Sequence, residues 1–174
     1  MKTLCLFLML FSTVCFGQAK VEAKKAQLPI NKYIKSVDNL TLESALELAK
    51  KVTETATSLN KKVSIAILDA SGTTILLMRA DGVGPHNTEA SRRKAYTALS
   101  TKTGTLTLLR NAVTNPDTRN LNTLPELLLL SGGVPIWYQG NVIGSVGVAG
   151  GGSPENDDLI ARSAEITELG ITNK

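Results

Sequence analysis

Two stretches of this chain, "VSIAILDASGTTILLMRADG" at 63–82 and "GVPIWYQGNVIGSVGVAG" at 133–150, each set a short turn between β-rich runs. No other feature constrains the fold as strongly. In the first, runs at 63–69 and 73–80 are joined by Ala70, Ser71 and Gly72, the signal of a tight hairpin. In the second, Gln139, Gly140 and Asn141 turn the chain between "GVPIWYQ" and "NVIGSVGVAG". A further run, "ELLLL" at 126–130, precedes it across Gly132 and Gly133, so the second half reads as an antiparallel meander of three strands.

Helical patterns surround these hairpins. Leu42, Ala45, Leu46, Ala49, Val52, Ala56 and Leu59 recur at three- and four-residue intervals behind a capping Thr41, which predicts an amphipathic helix over 41–60. Val83 to His86 form a loop containing Pro85, after which Asn87 or Thr88 caps a helix over about 88–102 that stops at Gly104. "LTLLRNAV" suggests a short helix, and "TNPDTRNLNT" is rich in turn residues. A last helix is expected from Ser153 to Gly170, with Ser153 as N-cap, Pro154 at its first position and acids in its first turn. Strands grouped in hairpins between helices give an α+β class, one antiparallel sheet with helices packed on it.

The chain opens on "MKTLCLFLMLFSTVCFGQAK", with Lys2, an apolar run from Leu4 to Phe16, and Cys15 and Gly17 at the positions a signal peptidase favours. The expected organisation is a signal peptide over 1–17, an irregular arm over 18–40 and one domain over 41–174. Lipidation at Cys15 is the second reading, disfavoured by the bulky Val14 before it. Cleavage before Gln18 removes Lys2 and both cysteines of the 174-residue chain, leaving it without a thiol for catalysis, metal binding or haem attachment. The expected location is outside the cytoplasm, in the periplasm or beyond, with no membrane insertion after cleavage. The lysines are scattered and the net charge of the full chain is only +4, so nucleic acid is not an expected partner.

The glycines at 144, 147, 150, 151 and 152 invite comparison with a nucleotide-binding loop, but no set of them has the Gly-x-Gly-x-x-Gly spacing, and Gly-Lys-Ser/Thr is absent. Glu155, Asp157 and Asp158 stand where a phosphate would sit at a helix N-terminus and would repel it. An architectural role fits instead: Gly144 and Gly147 thin a strand under a crossing helix, and Gly150 to Gly152 reverse the chain. Missing side chains could also open a pocket wall for a flat ligand.

The stretch "GNVIGSVGVAGGGSPENDDLIARSA", together with "LTLESALELAKKVTETATSLNKKVSIAILDASGTTILLMRADG", "ASRRKAYTAL" and "SGGVPIW", resembles the GlcG/HbpS family of haem-binding and haem-degrading-like domains, which includes the C-terminal domain of PduO-type proteins. The resemblance spans about 40–170. It implies a five-stranded antiparallel sheet in a profilin-like arrangement, self-association into a homo-oligomer, and binding of haem or, in some relatives, a corrinoid. A sensor or redox partner protein is a further implication for exported members.

Candidate ligand residues follow. His86 is the sole histidine and the one ordinary nitrogen ligand for iron, set against a plain role as loop surface. Arg92, Arg93 and Lys94 are the densest basic cluster and could meet propionates, or could form a solvated helix face. Thr97 and Thr101 share a helix face, and the resemblance implies a threonine near this helix as a weak iron ligand. Met78, Trp137 and Tyr138 are assigned first to packing, with Trp137 or Tyr138 as an alternative interface anchor. Asp69 and Asp81 read as turn formers. No spacing of nucleophile and base, and no His-Glu-x-x-His, points to catalysis. The expected function is small-molecule binding, with haem the leading ligand and a tetrapyrrole-modifying enzyme or a ligand-free interaction module as alternatives.

Overall fold

The first hairpin forms as β1 (Ser64–Asp69) and β2 (Thr74–Arg79), and the second as β3 (Gly133–Tyr138) and β4 (Asn141–Ala149). The two hairpins join through β1 and β4, giving one antiparallel sheet in the order β2-β1-β4-β3. This computed structural model describes residues 33–173, and the fold is followed from Ser36. The expected signal peptide at 1–17 and most of the arm at 18–40 lie outside the described residues.

The sheet has four strands, not the expected five. Leu127 to Leu130 form no strand and pair with none. Their backbone is instead bonded by side chains: Arg93 Nη2 donates to Leu127 O at 2.6 Å, and Leu128 N donates to Thr97 Oγ1 at 2.8 Å. A leucine run satisfied in this way gains the burial of Leu127 and Leu129 without entering the sheet.

Each face of the sheet receives a different layer, because side chains alternate along a strand. Ile65 and Ile67 of β1, Val134 and Ile136 of β3, and Val146 and Val148 of β4 form the main core with α1 (Leu42–Ser58) and α5 (Pro154–Arg162). Helix α1 begins with a capping box: Thr41 Oγ1 accepts from Ser44 N and Ser44 Oγ accepts from Thr41 N. Its apolar stripe then buries Ala45, Leu48, Ala49, Val52 and Ala56.

On the opposite face lies α2 (His86–Thr101), whose Ala95 meets Ala66 and Leu68. This helix comes close because the strands beneath it lack side chains. A Cβ on Gly147 would fall 2.7 Å from Ala95 N, and one on Gly133 would fall 2.7 Å from Lys94 C. The architectural reading of Gly147 is therefore correct, while Gly144 makes room for Leu40 rather than for a helix.

Three expected boundaries shift. Helix α2 starts at His86 rather than at 88, with Pro85 at the cap and no side-chain capping bond, so His86 is a first-turn residue and not part of the loop. The 105–123 region contains α3 (Thr105–Thr114) and α4 (Pro116–Asn120), the latter capped by Asn115 Oδ1. The last helix ends at Arg162 instead of reaching Gly170. Beyond it the chain turns back so that Ile166 pairs with Ile171 and Thr172 pairs with Trp137, backbone bonds that a continued helix could not make. Among the described residues no helix is long and apolar enough to cross a membrane.

Candidate functional site on the second helix

Five of the six ligand candidates lie within α2 beyond its first residue, and the structure commits most of their polar atoms internally. Thr97 Oγ1 donates to Arg93 O at 2.7 Å while accepting from Leu128 N, and Thr101 Oγ1 donates to Thr97 O at 2.7 Å. Thr97 is fully buried. Both hydroxyls are engaged within the protein, because a β-branched threonine in a helix turns its oxygen back to the preceding turn.

Arg92, Arg93 and Lys94 do not form a shared anion site, because successive residues leave a helix about 100° apart. Arg92 makes a forked pair with Glu89 at 2.8 and 3.0 Å and a second bond to Glu126 at 2.9 Å. Hydrogen bonding to Arg92 holds the Glu89 carboxyl below its ordinary value, and the two carboxylates make the guanidinium still harder to deprotonate. Arg93 is bonded to Leu127 O. Lys94 points in another direction altogether, into the protein, where its Nζ meets Asp157 Oδ2 at 2.7 Å and Val148 O at 2.9 Å.

The Lys94 contact resolves the glycine loop. Asp157 takes the ammonium on one oxygen and, on the other, Gly151 N at 2.7 Å. Asn156 Nδ2 donates to Gly151 O, and Ser153 Oγ caps α5 by accepting from Asn156 N. Gly150 and Gly152 have φ of 117° and 90°, conformations that strain any other residue. The loop amide and carboxylate thus satisfy each other, leaving no vacant anion cradle at Gly151. Sequence reasoning took Asp157 only as a charge that repels phosphate. Its pairing with Lys94 spans 63 positions and has no local signal.

His86 is the exception among the six candidates, an exposed imidazole at the N-terminal end of α2. Its ring lies against Gly84, where a Cβ would come within 2.8 Å of the His86 Cε1 atom. Beside it is a polar cup of 430 Å³ lined by Lys62, Asp81, Asn87 and the glycines 82, 84 and 150. The cup was not foreseen, since Lys62, Asn87 and Gly150 come from three separated parts of the chain. For haem, the donor set fits in part: an accessible imidazole is an ordinary iron ligand, and the adjoining cup sets one cation, Lys62, against one anion, Asp81. The basic cluster of α2 is largely engaged by Glu89, Glu126, Asp157 and backbone oxygens, with Arg93 Nε buried and without a partner.

Met78 and Trp137 also depart from simple packing. Met78 is 39% exposed on the outer strand β2. Trp137 and Tyr138 are both half-buried, with Trp137 Nε1 buried and unpartnered. Among the described residues no group of three or more His, Cys, Asp or Glu side chains could hold a metal ion.

Comparison with known proteins gives this geometry a context. Residues 40–165 match the family described as "Haem degrading protein HbpS-like". An uncharacterised 15.0 kDa protein from the dhaT-dhaS intergenic region of Citrobacter freundii is 31% identical over 130 residues, covering 74% of this chain and 91% of that protein. Among solved structures, HbpS of Streptomyces reticuli, crystallised as a double mutant, is 32% identical with a TM-score of 0.71, covering 77% of this chain and 90% of that one. A structure described as a PduOC:haem complex is 28% identical with a TM-score of 0.66, covering 76% and 96%. The match begins at Leu40, where the folded core begins, and ends just past α5. The chain belongs to the HbpS-like family.

Proposed function

We propose that this protein is an exported, non-covalent haem-binding protein, used in sensing, scavenging or transfer, and that His86 holds the iron. The observation that carries the reading is the single exposed histidine on Gly84 beside a cup containing Lys62. Membership of the HbpS-like family and the likeness to a haem-complexed PduOC structure support the choice of ligand. The sequence from Lys2 through the apolar run Leu4 to Phe16, with Cys15 and Gly17 at the positions a signal peptidase favours, supports export.

Bound haem would supply a redox-active iron. The chain's own contributions are an exposed imidazole in the first turn of α2, a glycine that leaves space for its ring, and the Lys62 ammonium in the adjoining cup, which Asp81 shares. A ligand held from one exposed side exchanges readily, which suits transfer or sensing better than permanent storage.

The test is a spectroscopic titration of residues 18–174 with haemin, run beside a corrinoid and followed for hours under reductant. A saturable Soret shift that then stays constant is the expected result. Loss of the haem band with time would favour the tetrapyrrole-modifying enzyme, saturation by the corrinoid alone would change the ligand, and no saturation with either would reject tetrapyrrole binding.

A further inference from the structure

The face of the sheet opposite His86 carries an apolar trough of 1120 Å³ between the start of α1 and the chain that follows α5. Leu42, Leu46 and Leu169 line it while 57%, 53% and 62% exposed, with Ile143, Ile166 and Ile171 at its floor. Three half-exposed leucines converging on one depression differ from the scattered apolar residues of an ordinary surface. Leu42 and Leu46 stand one turn apart on α1 and form a continuous ridge along the trough.

Its charges are lopsided. Glu43, Glu47 and Glu168 border the trough, against one cation, Lys50. Among the described residues none of these carboxylates is in an ion pair, whereas Glu89, Glu126, Asp157 and Asp158 all are. The lining contains no histidine, methionine, cysteine or tyrosine to take iron, and its acids oppose a dicarboxylate such as haem. The volume slightly exceeds the range of about 300–1,000 Å³ usual for small-molecule sites.

We infer that this trough is a docking site for a basic amphipathic helix of a partner protein. Apolar residues of the incoming helix at three- and four-residue spacing pack along the Leu42, Leu46 and Leu169 ridge, and its lysines or arginines lie over Glu43, Glu47 and Glu168. The site is separate from His86, so it stands or falls independently of haem binding.

The test uses residues 18–174 and a fluorescein-labelled 18-residue peptide of leucine and lysine in amphipathic helical order, with a peptide bearing glutamate for lysine as control. Anisotropy titration should show saturable binding of the basic peptide, about ten-fold tighter than the acidic one at low salt. Leu46→Arg, at an exposed position, should weaken it about ten-fold, and Glu43→Lys with Glu168→Lys should move the preference toward the acidic peptide. Equal binding of both peptides, no saturable binding, or binding unchanged by Leu46→Arg would overturn the inference. So would a dimer of the unaltered chain that Leu46→Arg converts to monomer, because the trough would then be filled by a second copy.

Discussion

Asp69 shows how a residue read as a turn former gains a measurable role. Burial alone would raise its carboxyl, but hydrogen bonds from Ser71 and Thr73 prevail and hold it below its ordinary value. The stabilisation is complete above the unfolded carboxyl's value near 3.8 and is lost as pH falls through the lower folded value. Asp69→Asn should therefore destabilise the chain more at pH 6 than at pH 3, as read by urea unfolding at both. An equal loss at the two values would remove the charge from the account. Glu89, lowered by Arg92, contributes with the same sign. At this scale the sequence disclosed local roles, Thr41 and Ser153 as helix caps and Asp69 as a turn former, and the structure supplies their partners Ser44, Asn156 and Ser71. It did not disclose the partners of Lys94, Thr97 or Arg92, because Asp157, Leu128 and Glu126 lie 31 or more positions away.

Between elements, the closest packing is that of α2 against the sheet, and it rests on glycine. Gly147→Ala places a methyl against Ser91 and Ala95 backbone atoms, which cannot swing aside as a flexible side chain could. A loss of about 1–3 kcal/mol is expected for such overpacking, measurable as a lowered midpoint in thermal or urea unfolding. Helix α2 is tied to α5 by the buried Lys94–Asp157 pair, only 4% and 12% exposed at the side chains. Lys94→Met leaves Asp157 charged and unpaired and should cost about 3–5 kcal/mol, whereas Lys94→Met with Asp157→Leu should recover much of that. No recovery in the double variant would mean that the Gly151 bond to Asp157, not the ion pair, is the main contribution. The hairpins and amphipathic α1 were legible because their periodicity is local. The run at 126–130 was misread because five leucine-rich residues carry a strand signature whether or not a strand edge is free to receive them. Similarly, the acid and apolar pattern beyond Arg162 continues a helical rhythm, but the local Ile166–Ile171 pairing and the bonds of Thr172 to the distant Trp137 backbone end it.

For the whole molecule, the four-stranded sheet separates two surfaces of different chemistry. On the α2 side, an exposed imidazole adjoins a polar cup, while on the α1 side an apolar trough is edged by carboxylates. The family was legible from the order of short motifs along the chain, since those motifs encode the crossing of α2 over glycine-bearing strands and the glycine turn into α5. The candidate site was legible only in part. Proximity along α2 suggested one basic and hydroxyl-bearing patch, but helical rotation and long-range pairing disperse it, leaving His86 as the accessible member. The cup needed the fold to bring Lys62, Asn87 and Gly150 together.

That dispersal makes the central claim easy to test in a single experiment: equilibrium haemin titration of the unaltered chain, His86→Ala, and Arg92→Ala side by side. Neither substituted side chain is in the core, so all three proteins should give the same far-ultraviolet circular dichroism. The expected result is a saturable Soret shift for the unaltered chain, a loss of affinity of at least about ten-fold for His86→Ala, and less than about a three-fold change for Arg92→Ala. Undiminished binding by His86→Ala, or a larger loss for Arg92→Ala, would contradict the account and return the ligand site to the body of α2.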